Sequence, residues 1–340
     1  MDYPGEKLLL KLWDTLAEKG IGSLLKPWQE KRVARARHEI RREELLTLAQ
    51  AKKEVEAIKS GKAVYSKNGE VKLLSSPLNE MIKTREIEQA IDQPSFVLRA
   101  TEIDISETVR KEVNVAKAIM IAEDILEKDS QEPPEASIED DWLFSWREYA
   151  GKVSSDELQD LWGRVLAGET KQPGSYSIRT LDFLKNLSKP EAELISKAAK
   201  FVIAGRIFRK KESFLEKEGL FFSQLLHLQD IGVLSGVEAV GLTAKYKSLA
   251  PDKYFNPLVA SNKVILIEHE DSKKEVTSEV YLLTGTGREV LKLASFQVDP
   301  DYLESVANDF AGKGLKVSVA DWLQVTSDSG QYYNAKEIST

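Results

Sequence analysis

Cysteine is absent from this chain, which removes a disulfide framework, a thiolate metal site and a cysteine nucleophile together. Histidine is scarce. The three present, His38, His227 and His269, are widely spaced and have no carboxylate at ligand spacing, which argues against a zinc site or a histidine-based triad. No apolar run approaches the roughly eighteen residues of a bilayer span. Asp2 and Glu6 stand where a secretion signal would be basic, so the cytoplasm is the expected location. A P-loop, a G-x-S-x-G elbow and an H-E-x-x-H helix are also missing. Gly285-x-Gly287 lacks the third glycine of a phosphate-cradling loop. No cofactor is expected, and an enzyme is the less favoured class.

What is present is a charge-rich chain of 340 residues, 42% hydrophobic and 30% charged, long enough for two or three domains. Its formal charge of −7 argues against whole-protein affinity for nucleic acid and leaves local basic patches open. The expected fold is mainly α. A helical arm and a central helical module precede a small, winged-helix-like α/β C-terminal region. The expected segments are an arm over 1–60, a helical region with a linker over 61–140, the central module over 141–205 and the C-terminal domain over 206–340.

Start signals, periodicity and stop signals agree best in the central module. Ser154 with Glu157 reads as a capping box. Leu158, Leu161, Trp162, Val165 and Leu166 follow as one apolar stripe, and Gly168 reads as the helix end. Pro173-Gly174 supplies a turn, and a second helix carries Ile178, Leu181, Leu184 and Leu187. Ser188 with Glu191 forms another capping box, with Pro190 in the first turn. The third helix turns Ile195, Ala198, Ala199 and Val202 inward and stops at Gly205. Trp142, Phe144 and Trp146 read as the lid of this core.

This run resembles an uncharacterised bacterial family, a domain of unknown function numbered 2806, and is more distantly similar to the alpha-type abortive-infection proteins. The matching positions are Leu161, Trp162, Val165 to Glu169, Pro173 to Ser177, Leu184, Leu187, Ser188, Glu191 and Ala192. The resemblance carries no reaction. It implies a bacterial or prophage setting and, as an expectation, a part in phage defence. Glu169, in the family-like Ala-Gly-Glu, reads as a helix-end residue paired with a nearby cation.

Upstream, Gly5 to Lys19 reads as an amphipathic helix whose apolar side, with Leu9, Leu12, Trp13 and Leu16, is a candidate oligomer or membrane face. A long helix over about 28–60 follows. Arg32, Arg35, Arg41 and Arg42 in its basic first half are candidate contacts to nucleic acid or an anionic surface. Its near-heptad spacing suits a coiled coil and self-association. Residues 61–78 read as a weak hairpin around Asn68-Gly69, 80–91 as helical, and 106–128 as a helix on which Asn114 faces solvent. The Asp129 to Asp141 segment reads as a linker.

After Gly205 the pattern changes. Arg206, Arg209, Lys210 and Lys211 form a basic cluster, the last two being candidate phosphate contacts. Leu220 to Leu234 reads as a winged-helix helix running into a strand. Lys263 to Glu268 and Val280 to Leu283 read as strands joined by the charged turn 271–275. Thr284 opens a helix, Asp299-Pro300 caps another through Ala311, Leu315 to Val319 alternates as a strand, and 332–340 reads as a polar tail. The expected function is a non-enzymatic protein-interaction, sensor or scaffold role, with a homo-oligomer or another protein as partner. The alternatives are a DNA-associated winged-helix regulator and a membrane-surface effector without a transmembrane segment.

Overall fold

The computed structural model describes residues 4–21, 37–60, 62–65, 71–73, 93–238, 242–294, 296–325 and 329–338. The fold is mainly helical, with small antiparallel sheets in the C-terminal part. The chain divides into two compact units, Met1–Leu181 and Asp182–Thr340, where four segments were expected. The division falls inside the 141–205 stretch read as one module.

Unit one contains α1 (Glu6–Glu18), α2 (Arg37–Lys59), strands β1 (Ala63–Tyr65) and β2 (Val71–Leu73), α3 (Gln93–Leu126), α4 (Asp140–Lys152) and α5 (Asp156–Lys171). The division runs through α6 (Ile178–Asn186). The central element is α3, which packs against α1, α2, α4 and α5. It starts well before Ser106, because Pro94 sits in its first turn, where a missing N–H loses no helical bond. Val113, Ala116, Ile119, Met120 and Ala122 are buried at helical spacing. Gly163 lets α5 approach closely, since a Cβ there would lie 2.6 Å from the Ile121 side chain and 2.9 Å from the Ala118 carbonyl.

Several local expectations need correction. The cap of α5 is Ser155, whose hydroxyl accepts from Leu158 N at 3.3 Å, one residue later than read. Gly168 does not end α5, which continues to Lys171. Instead the glycine makes room for the Tyr176 ring, 2.7 Å from where its Cβ would stand. Trp142 and Trp146 lie on α4 and are buried, each with its indole N–H satisfied: Trp142 donates to Tyr176 O at 2.6 Å and Trp146 to Trp162 O at 2.9 Å. Phe144 is exposed. Asn114 is buried rather than solvated. It donates to Gly151 O at 2.9 Å and accepts from Gln159 Nε2 at 3.2 Å, which joins α3, α4 and α5.

The apolar side of α1 is also corrected. Leu12, Trp13 and Leu16 are buried and Leu9 half-buried, and α1 packs on α3 and α5. Trp13 Nε1 donates to the buried Glu123 carboxylate at 2.6 Å. An amphipathic stripe is equally suited to a core, a second chain or a bilayer; here intramolecular packing takes it. The β1–β2 hairpin forms with Tyr65 opposite Val71, while Asn68-Gly69 and the 80–91 helix lie outside the described residues.

Unit two holds α7 (Lys189–Ala199), β3 (Arg206–Phe208), α8 (Glu212–Lys217), α9 (Phe222–Asp230), β4 (Leu234–Ser235), β5 (Leu242–Tyr246), β6 (Tyr254–Ala260), β7 (Lys263–His269), β8 (Val276–Leu283), α10 (Gly285–Leu291), α11 (Pro300–Ala311), β9 (Lys316–Gln324) and β10 (Gly330–Glu337). The Ser188–Glu191 capping box is present in full, and Asp299 caps α11 by accepting from Tyr302 N at 2.8 Å. In the first sheet, β8 pairs antiparallel with β3 on one side and with β4 and then β5 along the other. The second sheet has the order β10-β9-β7-β6. So β7 and β8 are not the expected hairpin; the 271–275 turn carries the chain from one sheet to the other. The expected tail is largely β10.

One side of the second sheet turns Ile265, Ile267, Leu258 and Val317 into the core, where α11 packs on β7 and β9. Edge-to-face aromatic pairs tie the layers together: Phe201 with Tyr302 at 5.2 Å, Phe208 with Phe310 at 5.8 Å and Tyr246 with Phe310 at 5.6 Å. The Tyr302 hydroxyl accepts from Phe208 N at 2.7 Å. Burial holds its ionisation well above the ordinary tyrosine range.

Candidate functional site

The family-like motif of unit one resolves into a structural joint. Glu169, near the end of α5, is buried, and its carboxylate accepts from Gly174 N at 2.5 Å and from Tyr176 N at 3.0 Å. A buried carboxylate needs strong donors to remain in a core. Two backbone amides of the Pro-Gly-Ser-Tyr turn supply them. The motif spacing is therefore that of a helix end holding the turn that follows it. Asp140 and Asp141 fall in the first turn of α4, where acids complement the helix dipole. Among the described residues, no group of three or more His, Asp or Glu side chains could hold a metal ion.

In unit two the basic cluster is divided among internal partners. Lys211 is buried, and its ammonium group donates to Ser305 O at 3.1 Å, Ser305 Oγ at 2.7 Å and Asp309 at 2.9 Å. It ties the start of α8 to α11, so it is not a free phosphate contact. Lys210 is exposed and pairs with Glu279 at 3.1 Å. The Arg206 and Arg209 guanidinium groups lie over the Tyr246 and Tyr281 rings, at 5.2 and 5.4 Å. Of the N-terminal candidates, Arg32 and Arg35 lie outside the described residues, and Arg41 and Arg42 fall on α2 where the backbone alone is described.

The surface that stands out is α9. It buries Leu225 and Leu228 and packs on α7 and β4. Outward it shows Phe221 at 53% and Phe222 at 56% exposure, followed by Ser223, His227 and Asp230. No Lys or Arg occurs from Phe221 to Asp230. Its polar groups are partly engaged: Gln229 Oε1 accepts from Val237 N at 2.7 Å, and His227 Nε2 lies 3.6 Å from Glu191. Glu191 is held below its usual range chiefly by its hydrogen bonds within the Ser188 cap, with His227 adding to this. Two adjacent exposed phenylalanines on a helix start are what sequence reading missed. The Phe-Phe doublet itself is the available signal in the sequence.

One concavity of unit two, about 470 Å³, is lined by apolar groups including Val202, Leu291, Phe296 and Trp322, together with Ser261 and Asn262. Among the described residues that line it, none carries an ionisable group for acid–base chemistry. A smaller one, about 360 Å³, is lined by Lys245, Lys247, Lys273 and Lys274.

Residues 99–207, from within α3 to β3, match the family described as Protein of unknown function (DUF2806). No curated protein and no solved structure matches the chain.

Proposed function

We propose that this chain is a non-enzymatic protein-interaction module, a sensor or scaffold, whose docking surface is the outward side of α9 on a winged-helix-type frame. The frame is supported by the order α7, β3, α8, α9, β4, β5, β8, with β8 pairing back on β3. In such a frame α9 occupies the position of a groove-reading helix. The observation that carries the reading is the pair Phe221 and Phe222, both more than half exposed on a helix without a cation. A groove-reading helix needs outward Arg, Lys, Asn or Gln for bases and phosphates. Exposed aromatics with few charges suit the centre of a protein interface. The membrane-surface reading is not carried forward, because Leu12, Trp13 and Leu16 are buried.

The test is a photo-crosslinking amino acid placed at Phe222 and, as a control, at Lys292, in cells expressing the full chain. A discrete protein adduct from position 222 alone is the expected result. An adduct to nucleic acid from position 222, or sequence-specific duplex binding lost on Gln224→Ala, replaces this reading with the DNA-associated regulator. The bacterial antiviral setting belongs to the same proposal and is supported by the sequence resemblance. Its test is phage plating efficiency with and without Phe222→Asp.

A further inference from the structure

Beyond α9, we propose that the lysine-lined concavity at the crossover between the two sheets of unit two binds a free oligophosphate, an inorganic chain or the triphosphate of a nucleotide. It shares no residue with α9 and does not depend on the docking reading.

The chain leaves the first sheet through 247–253 and returns through 270–275. Between these connections lies a concavity of about 360 Å³, within the size range of small-ligand sites. Four lysines line it, Lys245, Lys247, Lys273 and Lys274, against one acid, Glu275. Glu275 is already engaged by Lys245, a contact that holds the carboxyl below its usual range. The ammonium groups of Lys247, Lys273 and Lys274 make no ion pair among the described residues. Other nearby carboxylates are turned to different work. Asp271 accepts from Lys273 N at 2.9 Å and its carbonyl from Lys274 N at 3.1 Å, which folds the turn that carries both lysines. Glu268 is held by Lys253 at 2.6 Å. Asp252 and Glu270 are not part of the wall.

The opposite wall is fixed before any ligand arrives. Ser248 Oγ donates to Ala250 O at 2.8 Å and accepts from Ala250 N at 3.2 Å and Phe255 N at 3.1 Å. A pre-shaped wall lowers the ordering cost of binding. Three like charges gathered without a counter-charge repel one another, and an anion with three or more charges relieves that repulsion. A single long polymer fits less well. Lys245 and Lys210 are paired with Glu275 and Glu279, and the Lys313 ammonium is turned onto Thr277 O at 2.6 Å, so among the described residues these three cations do not extend the free lysines into a track for a nucleic-acid backbone.

The experiment is isothermal titration of the full chain with sodium tripolyphosphate at low ionic strength, with ATP, sulfate and a mixed-sequence duplex as parallel titrants. The expected result is saturable 1:1 binding of tripolyphosphate or ATP, with sulfate at least about tenfold weaker. Combining Lys247→Gln, Lys273→Gln and Lys274→Gln weakens binding about tenfold or more, while Lys292→Gln leaves it unchanged. Glu275→Gln frees Lys245 and tightens binding several-fold, a gain that misfolding cannot mimic. Tighter ATP assigns a nucleotide, and tighter tripolyphosphate an inorganic chain. The proposal is overturned by absence of saturable binding at millimolar titrant, by wild-type affinity in the triple variant, or by binding of the duplex alone.

Discussion

The two units use their polar and aromatic groups in opposite ways. Unit one turns them inward: Asn114 and Gln159 bridge three helices, Glu169 holds a turn, and Glu123 receives the Trp13 indole. Unit two keeps an aromatic core but leaves Phe221 and Phe222 outside, together with three lysines beside a concavity that make no ion pair among the described residues. The contrast separates two meanings of a distinctive residue. In unit one a motif marks the joints of a helical frame. In unit two the informative residues are those the fold leaves unused.

Substitutions can break that contrast, and the largest effect falls on the frame. Trp146→Ala removes a fully buried indole and its bond to Trp162 O; the expected loss is about 3–5 kcal/mol in urea denaturation. Glu169→Ala strands the amides of Gly174 and Tyr176 and is expected to cost about 2–3 kcal/mol. If Glu169→Ala left the unfolding midpoint unchanged, the motif would not be a joint, and the contrast would fail on its first side.

Alkaline pH probes the core of unit two. Tyr246 is buried, and desolvation pushes its pKa from 10.0 up to about 12, against smaller opposing pulls from Arg206 and from a hydrogen bond with Ser278. The unfolded tyrosine ionises first. This contribution to stability is therefore intact below about pH 10 and is lost as pH rises towards about 12. Denaturation midpoints measured from pH 8 to 11 should fall in that window, and Tyr246→Phe should flatten the fall.

Smaller effects sharpen the comparison. Lys211→Ala leaves Asp309 and Ser305 without their buried cation and should cost about 1–3 kcal/mol, whereas Lys210→Ala, at an exposed residue paired with Glu279, should leave the midpoint where it is. Phe222→Ser should change stability by less than about 0.5 kcal/mol while removing the crosslink partner of α9. A large destabilisation by Phe222→Ser would show that the ring serves the fold.

Much of the helical frame was legible because caps are local chemistry. Ser188 with Glu191, and Asp299 followed by Pro300, announce α7 and α11 within a few residues. Strands were harder to read. Pro257 lies inside β6, and Lys336 and Glu337 near the end of β10 resemble a solvated tail; both strands are sheet edges, where proline and charge are tolerated. Asn114 was misread because helical spacing gives the direction of a side chain but not what stands opposite it. The same limit hid both candidate sites. Whether a phenylalanine is core or surface depends on distant neighbours, and Lys247 meets Lys273 only after an intervening pair of strands has formed.

That intervening pair also sets an order of assembly. β5 and β8 are neighbours in one sheet, yet β6 and β7 of the other sheet lie between them in the chain. Closing a loop across flexible chain is entropically costly, and local pairings form before distant ones. The β6–β7 hairpin, with only Ser261 and Asn262 between its strands, is therefore the natural first event. Once zipped, it brings the end of β5 beside the start of β8, and the first sheet can close. The crossover is the seam where one layer waits for the other, so an anion settling there would also act as a late fastener on folding.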